Sequence, residues 1–435
     1  MSLLDTNGYP YWHDQLGAAP ETNGQLPDTV DVLVVGSGYT GLNAAIATAR
    51  GGRSTLVVDA EDPGHGCSTR NGGQISTSIK PSLGKLAAKL GDQKARAIRD
   101  EGTNALAWIA DFVESENLYC DFRKVGRFHA AHTPQHYEEL VHDAEIMRKT
   151  EGIDCFAVQR SEQRRHLGTD IYFGGVVFPA HCSLHPAKYH RELLRLALDA
   201  NAQVIGQCCV NGIEQTATGF SVATSQGAVS ARDVIVATNG YTTGLTPWLQ
   251  RRVIPIGSYI IATDELPEAT IDTLFPGDRI ASDTCKVVYY YRATPDRRRV
   301  LFGGRVSSTE QDPLTSAARL RSDMCRIFPE LEGIGLSHAW SGTVAYTFGE
   351  LAHTGVHDGV HYAMGYCGSG VSMASYLGMR TGQRVLGQKD GRTAFDDLPF
   401  STRPFYQGKP WFLPAAVAWY RWNDQRQHRK ASQMT

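Results

Sequence analysis

Three stretches of the sequence predict an α/β fold. In Asp31–Gly41, four apolar residues, Val32 to Val35, run into glycines at 36, 38 and 41 and then into a helical pattern. In Val234–Gly240, a second apolar run ends in a turn. In His361–Gly370, another short strand meets another glycine-rich turn, with a helix to follow. Continuous apolar strands of this kind suit a parallel sheet covered on both faces. The three stretches therefore imply one domain assembled from the beginning, middle and end of the chain.

Taken in order, residues 1–28 read as an arm, with Tyr9, Tyr11 and Trp12 able to pin it to the protein surface or to a partner subunit. The strand before Gly36 and the helix Leu42–Ala49 follow. Gly51-Gly52 then turns the chain into a second strand, Ser54–Val58. Gly64 to Gln74 is polar and glycine-rich, which fits a loop. Helical periodicity runs from Leu83 to Glu116, with Ala105, Ile109 and Phe112 on its apolar stripe. Residues 121–180 read as short strands around one charged helix, His136–Lys149. The next helix, Leu184–Ala200, carries Pro186 near its start, where no N–H is lost from the helix. Val204–Gly212, Phe220–Thr224 and Val229–Thr238 read as strands, and Val371–Leu386 as the last helix of the domain. Between Arg251 and Trp340 the pattern changes to alternating aromatics, as in Tyr259-Ile-Ile-Ala-Thr and Val287–Arg292, and implies an antiparallel sheet.

The expected architecture is thus a discontinuous Rossmann-like domain (29–95, 183–248 and 345–390) beside an α+β substrate domain with a mainly antiparallel sheet (96–182 and 249–344). An aromatic tail, 391–435, completes the chain.

The spacing G-x-G-x-x-G supplies the first functional reading. Gly36 allows the tight turn, Gly38 lets the backbone approach a pyrophosphate, and Gly41 lets helix and strand pack closely. Ser37, Tyr39 and Thr40 share that turn, and the helix N-terminus offers unpaired N–H groups to phosphate. The second strand ends at Asp59, with Ala60 next, where a carboxylate can accept ribose hydroxyls. Val210, Thr238, Asn239 and Gly240 are further cofactor candidates at strand ends. The motif does not choose between NAD and FAD. A distant second glycine turn suits a longer ligand whose ring end is held elsewhere, and this favours FAD.

Composition excludes several alternatives. Lys plus Arg is 43 against 45 for Asp plus Glu, a net charge of −2, which gives no electrostatic case for nucleic acid. The nine cysteines show no C-x-x-C spacing, so no metal site or disulfide framework is expected, and a reducing, cytoplasmic setting is. No signal peptide and no transmembrane run is expected.

On the residues Gly36-Ser-Gly-Tyr-Thr-Gly41, Ser68-Thr-Arg-Asn-Gly-Gly-Gln74, Tyr290-Tyr-Arg-Ala-Thr-Pro-Asp296, Leu301-Phe-Gly-Gly304 and Gly365-Tyr-Cys-Gly-Ser-Gly-Val371, the chain resembles a known family. It is the D-amino-acid oxidase superfamily of FAD-dependent amine oxidoreductases, and within it the bacterial gamma-glutamylputrescine oxidases. The resemblance implies FAD contacts at Ser68, Thr69, Arg70, Asn71, Gly72 and Gln74. It places Gly368, Ser369, Gly370, Val371 and Ser372 near the pyrimidine end of the flavin. Some members attach flavin through a cysteine at a position matched here by Tyr289, and others through a histidine matched by Asn71, so non-covalent FAD is implied.

The reaction implied is oxidation of an amine C–N bond to an imine and then an aldehyde, with oxygen reduced to hydrogen peroxide. Tyr259, Tyr289, Tyr291, Trp340 and Tyr366 are candidates to line an amine pocket, or else pack the sheet. Arg292 and Arg305 are candidates for a substrate carboxylate, or else surface ion pairs. Relatives carry a proline-containing turn where this chain has Thr347-Phe-Gly-Glu350-Leu-Ala-His353. That departure makes Glu350 and His353 pocket candidates and leaves the amine open. A dehydrogenase passing electrons to a quinone or carrier protein is the alternative, with the segment Trp411–Trp422 as a peripheral contact. A flavin-binding protein without turnover is the third. Oligomeric state stays open.

Overall fold

The structure, a computed structural model, describes residues 6–22, 24–304 and 312–432. Two eight-stranded sheets organise it. In the first, the strands run in the order His353–His357, Val360–Met364, Gly227–Val236, Thr29–Val35, Thr55–Val58, Gln203–Ile205. The hairpin Val210–Thr216 and Gly219–Thr224 branches from Gly227–Val236. The three stretches singled out above meet here in parallel, with Val35 opposite Val236 and Ile235 opposite His361. The apolar run at 32–35 serves both faces: Val32 and Val34 enter one core cluster, Leu33 and Val35 another.

Helices Tyr39–Arg50, Pro186–Asp199 and Gly370–Val385 pack on one face of this sheet. The first and last of these meet through Gly378, where a Cβ would lie 2.3 Å from the Thr40 carbonyl. The periodicity at 83–116 divides at Gly91 into Leu83–Leu90 and Asp92–Ser115. The longer helix, placed by sequence largely in the substrate domain, sends Ala95, Ile98, Ala105, Ile109 and Val113 into the core of the first sheet. Its apolar stripe is complementary to Gly370–Val385, and burial of that stripe decides its position.

The second sheet runs Leu336–Thr347, Val253–Thr263, Val300–Gly304, Tyr289–Ala293, Ile280–Asp283, Arg127–Ala130, Gly175–Phe178, Phe156–Val158. Every pairing is antiparallel except that of Ile280–Asp283 with Arg127–Ala130. Helices Glu268–Leu274 and Pro313–Ile327 bury one face through Ile271, Leu274, Leu320 and Met324.

The arm is pinned to its own chain. Trp12 is fully buried and donates to the Asn71 carbonyl at 2.9 Å, and the Tyr11 hydroxyl donates to Asp296. Among the described residues no helix is long and apolar enough to cross a membrane.

Candidate active site

A cavity of about 990 Å³ lies between the two sheets, at the upper end of the range for small-molecule sites. On one side it is lined by Gly36, Gly38, Tyr39, Thr40, Asp59, Ala60, Val210, Thr238 and Asn239. Ser68, Arg70, Asn71, Gly72 and Gln74 also line it, as do Gly368, Ser369, Gly370, Val371 and Ser372. The two glycine turns are tied together: the Thr40 and Tyr366 hydroxyls are 2.6 Å apart, and Asn239 Oδ1 accepts from the Gly365 N–H.

Local folding explains why these groups converge. Helices Tyr39–Arg50 and Gly370–Val385 both begin beside the cavity, and neither has a hydrogen bond from its N-cap side chain. Their first-turn N–H groups therefore give that wall a positive field. Asp59 Oδ2 accepts from the Ser37 N–H at 2.8 Å and the Ser37 hydroxyl at 2.6 Å, which fixes the carboxylate at the strand end. The loop at 67–73 is held from both sides: Trp340 donates to the Arg70 carbonyl, and the Asn71 side chain bonds to Ser68 O and Gly73 N.

Four of the cofactor candidates lie outside the cavity lining. Ser37 is buried and orients Asp59, while its carbonyl meets His190 Nε2 at 2.7 Å. Thr69 donates to the Gly64 carbonyl and closes the loop. Gly41 and Gly240 serve backbone packing. A Cβ on Gly41 would sit 1.9 Å from the Gly36 carbonyl, and one on Gly240 would sit 2.9 Å from that of Thr343.

The aromatic candidates divide by strand parity. Tyr259 and Tyr291 are buried in the core under Pro313–Ile327, where Tyr291 stacks on Phe302 and donates to Tyr172. Tyr289 points the same way and donates to Asp323 at 2.7 Å. Their neighbours face the cavity instead: Ser258 and Tyr290 line it, with hydroxyls 2.8 Å apart. Side chains alternate faces along a strand, so a reading shifted by one residue selects the wrong set. Trp340 is fully buried, in a cluster with Trp12 and Tyr11. Of the aromatic candidates Tyr366 alone lines the cavity, on the first sheet's side.

The charged candidates are also displaced. Arg292 is buried and spends its guanidinium on the Gly73, Leu184 and Ala293 carbonyls; burial pushes its pKa down to about 10. Arg305 lies outside the described residues. Glu350 is exposed on a turn closed by Thr347, and His353 stacks on Phe400 with centroids 3.9 Å apart. Thr347, at the start of that turn, meets the second glycine turn, with its Oγ1 3.8 Å from Cys367 Sγ. Neither Glu350 nor His353 reaches the cavity.

Residues not singled out from sequence form the opposing wall. Arg127 and His129 project from the strand Arg127–Ala130 into the cavity, while Phe128 and Ala130 face the core. Arg127 Nη2 donates to Ser78 Oγ at 3.1 Å, Nε is buried without a hydrogen-bond partner, and the guanidinium lies over the Phe178 ring at 5.1 Å. Burial pushes its pKa down to about 10, with no carboxylate beside it among the described residues. The Ser78 carbonyl accepts from the Ser369 hydroxyl, which links Arg127 to the second glycine turn. His129 bonds to Ser282 Oγ at 2.9 Å; burial, and then the charges of Arg127 and Lys80, push its pKa down to about 3. Alternation of Arg-x-His with Phe-x-Ala was the available signal.

The model of a family described as FAD dependent oxidoreductase, DAO, matches residues 31–384. A probable oxidoreductase, OrdL, of Rhizobium meliloti (strain 1021) is 31% identical over 403 residues, covering 91% of this chain and 92% of that protein. The gamma-glutamylputrescine oxidoreductase of Escherichia coli (strain K12) is 29% identical over 395 residues, covering 89% and 90%. Among solved structures, glycine oxidase from Geobacillus kaustophilus superposes with a TM-score of 0.73 at 17% identity, covering 87% of this chain and 99% of that one.

Proposed function

Since the chain belongs to the DAO family of FAD-dependent oxidoreductases, we propose that it oxidises the C–N bond of an amine that also carries a carboxylate. Oxygen is the proposed acceptor. FAD, when bound, takes two electrons from the substrate and passes them to oxygen, giving hydrogen peroxide; the imine hydrolyses to an aldehyde. The donor set suits this cofactor. Asp59 would take the ribose hydroxyls, the turn Gly36–Thr40 the pyrophosphate, and Gly368–Ser372 the electron-rich end of the ring, and all of these segments border the cavity.

The observation that carries the substrate class is Arg127. A half-buried guanidinium in the cavity wall, with no carboxylate beside it among the described residues, suits an anion, and a carboxylate can meet such a group with two parallel hydrogen bonds. His129, neutral at physiological pH, adds no competing charge. The curated relative named for gamma-glutamylputrescine supports this reading, because that molecule bears both a carboxylate and an oxidisable amine. Flavin is proposed to be held non-covalently: Tyr289 is committed to Asp323, and burial raises the Cys285 thiol far above the range of a nucleophile. Release of all flavin on denaturation tests this point. The nine free cysteines fit a reducing compartment, as in the cytoplasm.

Hydrogen peroxide formed mole for mole with amine consumed in air supports the oxidase. Turnover only on addition of a quinone overturns it in favour of a dehydrogenase. The exposed aromatic face of the C-terminal helix is what keeps that second reading in view.

A further inference from the structure

We propose that the C-terminal helix, Leu413–Ser432, docks the protein on an anionic lipid surface. The helix is amphipathic in the reverse of the usual sense. Its inner stripe is Leu413, Val417, Arg421, Asp424, Gln427 and Ala431, and much of the contact it makes is polar. Asp424 accepts from the Lys286 and Val287 N–H groups, each at 3.1 Å, and Gln427 bonds to His132. Its outer side carries Trp419 and Trp422, 58% and 55% exposed, and Trp411, just before the helix, is 72% exposed. Large apolar side chains clustered in water mark an interaction site.

Charge selects the partner. Residues 401–435 contain six basic residues, Arg403, Lys409, Arg421, Arg426, Arg429 and Lys430, against Asp424 alone, in a chain whose net charge is −2; Arg421 is turned inward towards Tyr289 and Asp323, and the excess remains without it. Asp424 is itself buried. Tryptophan interleaved with arginine on an exposed helix is the composition that settles at the headgroup layer of anionic membranes. The Arg426 guanidinium already lies 5.4 Å from the Trp422 ring. A second copy of this chain fits less well, because a two-fold contact would set the same arginines against one another. Crossing the membrane is not implied, since no described helix is long and apolar enough.

The position of the helix gives docking a consequence. Leu413 packs with Val344 and Tyr346, and Asp424 holds Lys286; all three of those partners line the cavity. Contact with lipid would therefore bring one wall of the cavity towards the bilayer. The inference does not depend on which amine is oxidised.

The test is sedimentation of the full-length holoenzyme with vesicles of phosphatidylcholine, and of phosphatidylcholine mixed with phosphatidylglycerol. The expected result is binding to the anionic vesicles, weakened by high salt. In Trp419→Ser/Trp422→Ser, partitioning falls about tenfold or more, while melting temperature and amine oxidation without vesicles stay at wild-type values. Equal partitioning of variant and wild type overturns the proposal, as does wild type that stays in the supernatant. A wild-type dimer that the double variant converts to monomer also overturns it, by assigning the face to self-association.

Discussion

The two walls of the cavity are built from different materials. The wall on the parallel sheet is mostly backbone: two glycine turns, two helix N-termini and the Asp59 carboxylate, fixed by Ser37. The wall on the antiparallel sheet is made of side chains at alternate strand positions, Arg127 and His129 on one strand and Ser258 and Tyr290 on two others. A backbone wall needs glycine at fixed spacing and tolerates little else. A side-chain wall needs only the correct parity, and its identities are free to follow the substrate. The first wall thus fits a cofactor shared by many enzymes, and the second carries the substrate contacts proposed above.

Substitutions separate the walls. The largest effect is expected from Gly41→Val, which drives a side chain into the Gly36 carbonyl. It should cost about 3 kcal/mol or more in stability and abolish flavin retention, read from the flavin-to-protein absorbance ratio and a thermal melt. Retained flavin at wild-type stoichiometry would show that the close helix–strand approach is dispensable. Next comes a paired test of parity. Tyr291→Phe loses a buried hydroxyl contact to Tyr172 and should cost about 1–2 kcal/mol in denaturant unfolding with KM unchanged. Tyr290→Phe should do the reverse, altering KM or kcat with stability within about 0.5 kcal/mol. An exchange of the two phenotypes would invert the assigned faces.

The smallest effect concerns pH. Burial raises the Asp283 pKa to about 7, above its unfolded value of 3.8. The native state then holds a proton that the unfolded chain has lost, so this stabilisation is complete below about pH 3.8 and disappears as pH rises through 7. Asp283→Asn should flatten the decline in stability across that window. His129 has the opposite sign: its pKa is lowered, so it erodes stability as pH falls below 6.5. A decline in stability from pH 4 to 7 as steep in the variant as in wild type would remove Asp283 from this account.

Legibility in the sequence follows the same division. Gly36, Gly38 and Asp59 were readable from the spacing of the glycine motif and the strand end, Arg70, Asn71 and Gly368–Ser372 only from the family resemblance, and all line the cavity. Within the same motif the reading was coarser than the structure: Gly41 and Gly240 pack, Ser37 orients and Thr69 closes a loop. On the other wall, aromatic composition drew attention to Tyr259, Tyr289 and Tyr291, although both faces of that sheet are buried and composition does not report parity. Arg292 shares the parity of Tyr290, yet three carbonyls consume it, a tertiary fact without local trace. Glu350 is exposed and His353 stacks on Phe400, and neither lines the cavity.

The central claim is that Arg127 selects an amine bearing a carboxylate, and anaerobic reduction of the bound flavin measures it directly. Wild type and Arg127→Gln would be mixed with gamma-glutamylputrescine and with the matched amine lacking the carboxylate. The account predicts that the substitution weakens apparent affinity for the carboxylate-bearing amine about 10- to 100-fold, as loss of a charge-assisted contact should, and leaves reduction by the analogue without the carboxylate within about twofold. Equal losses for both amines, or none for either, would contradict it.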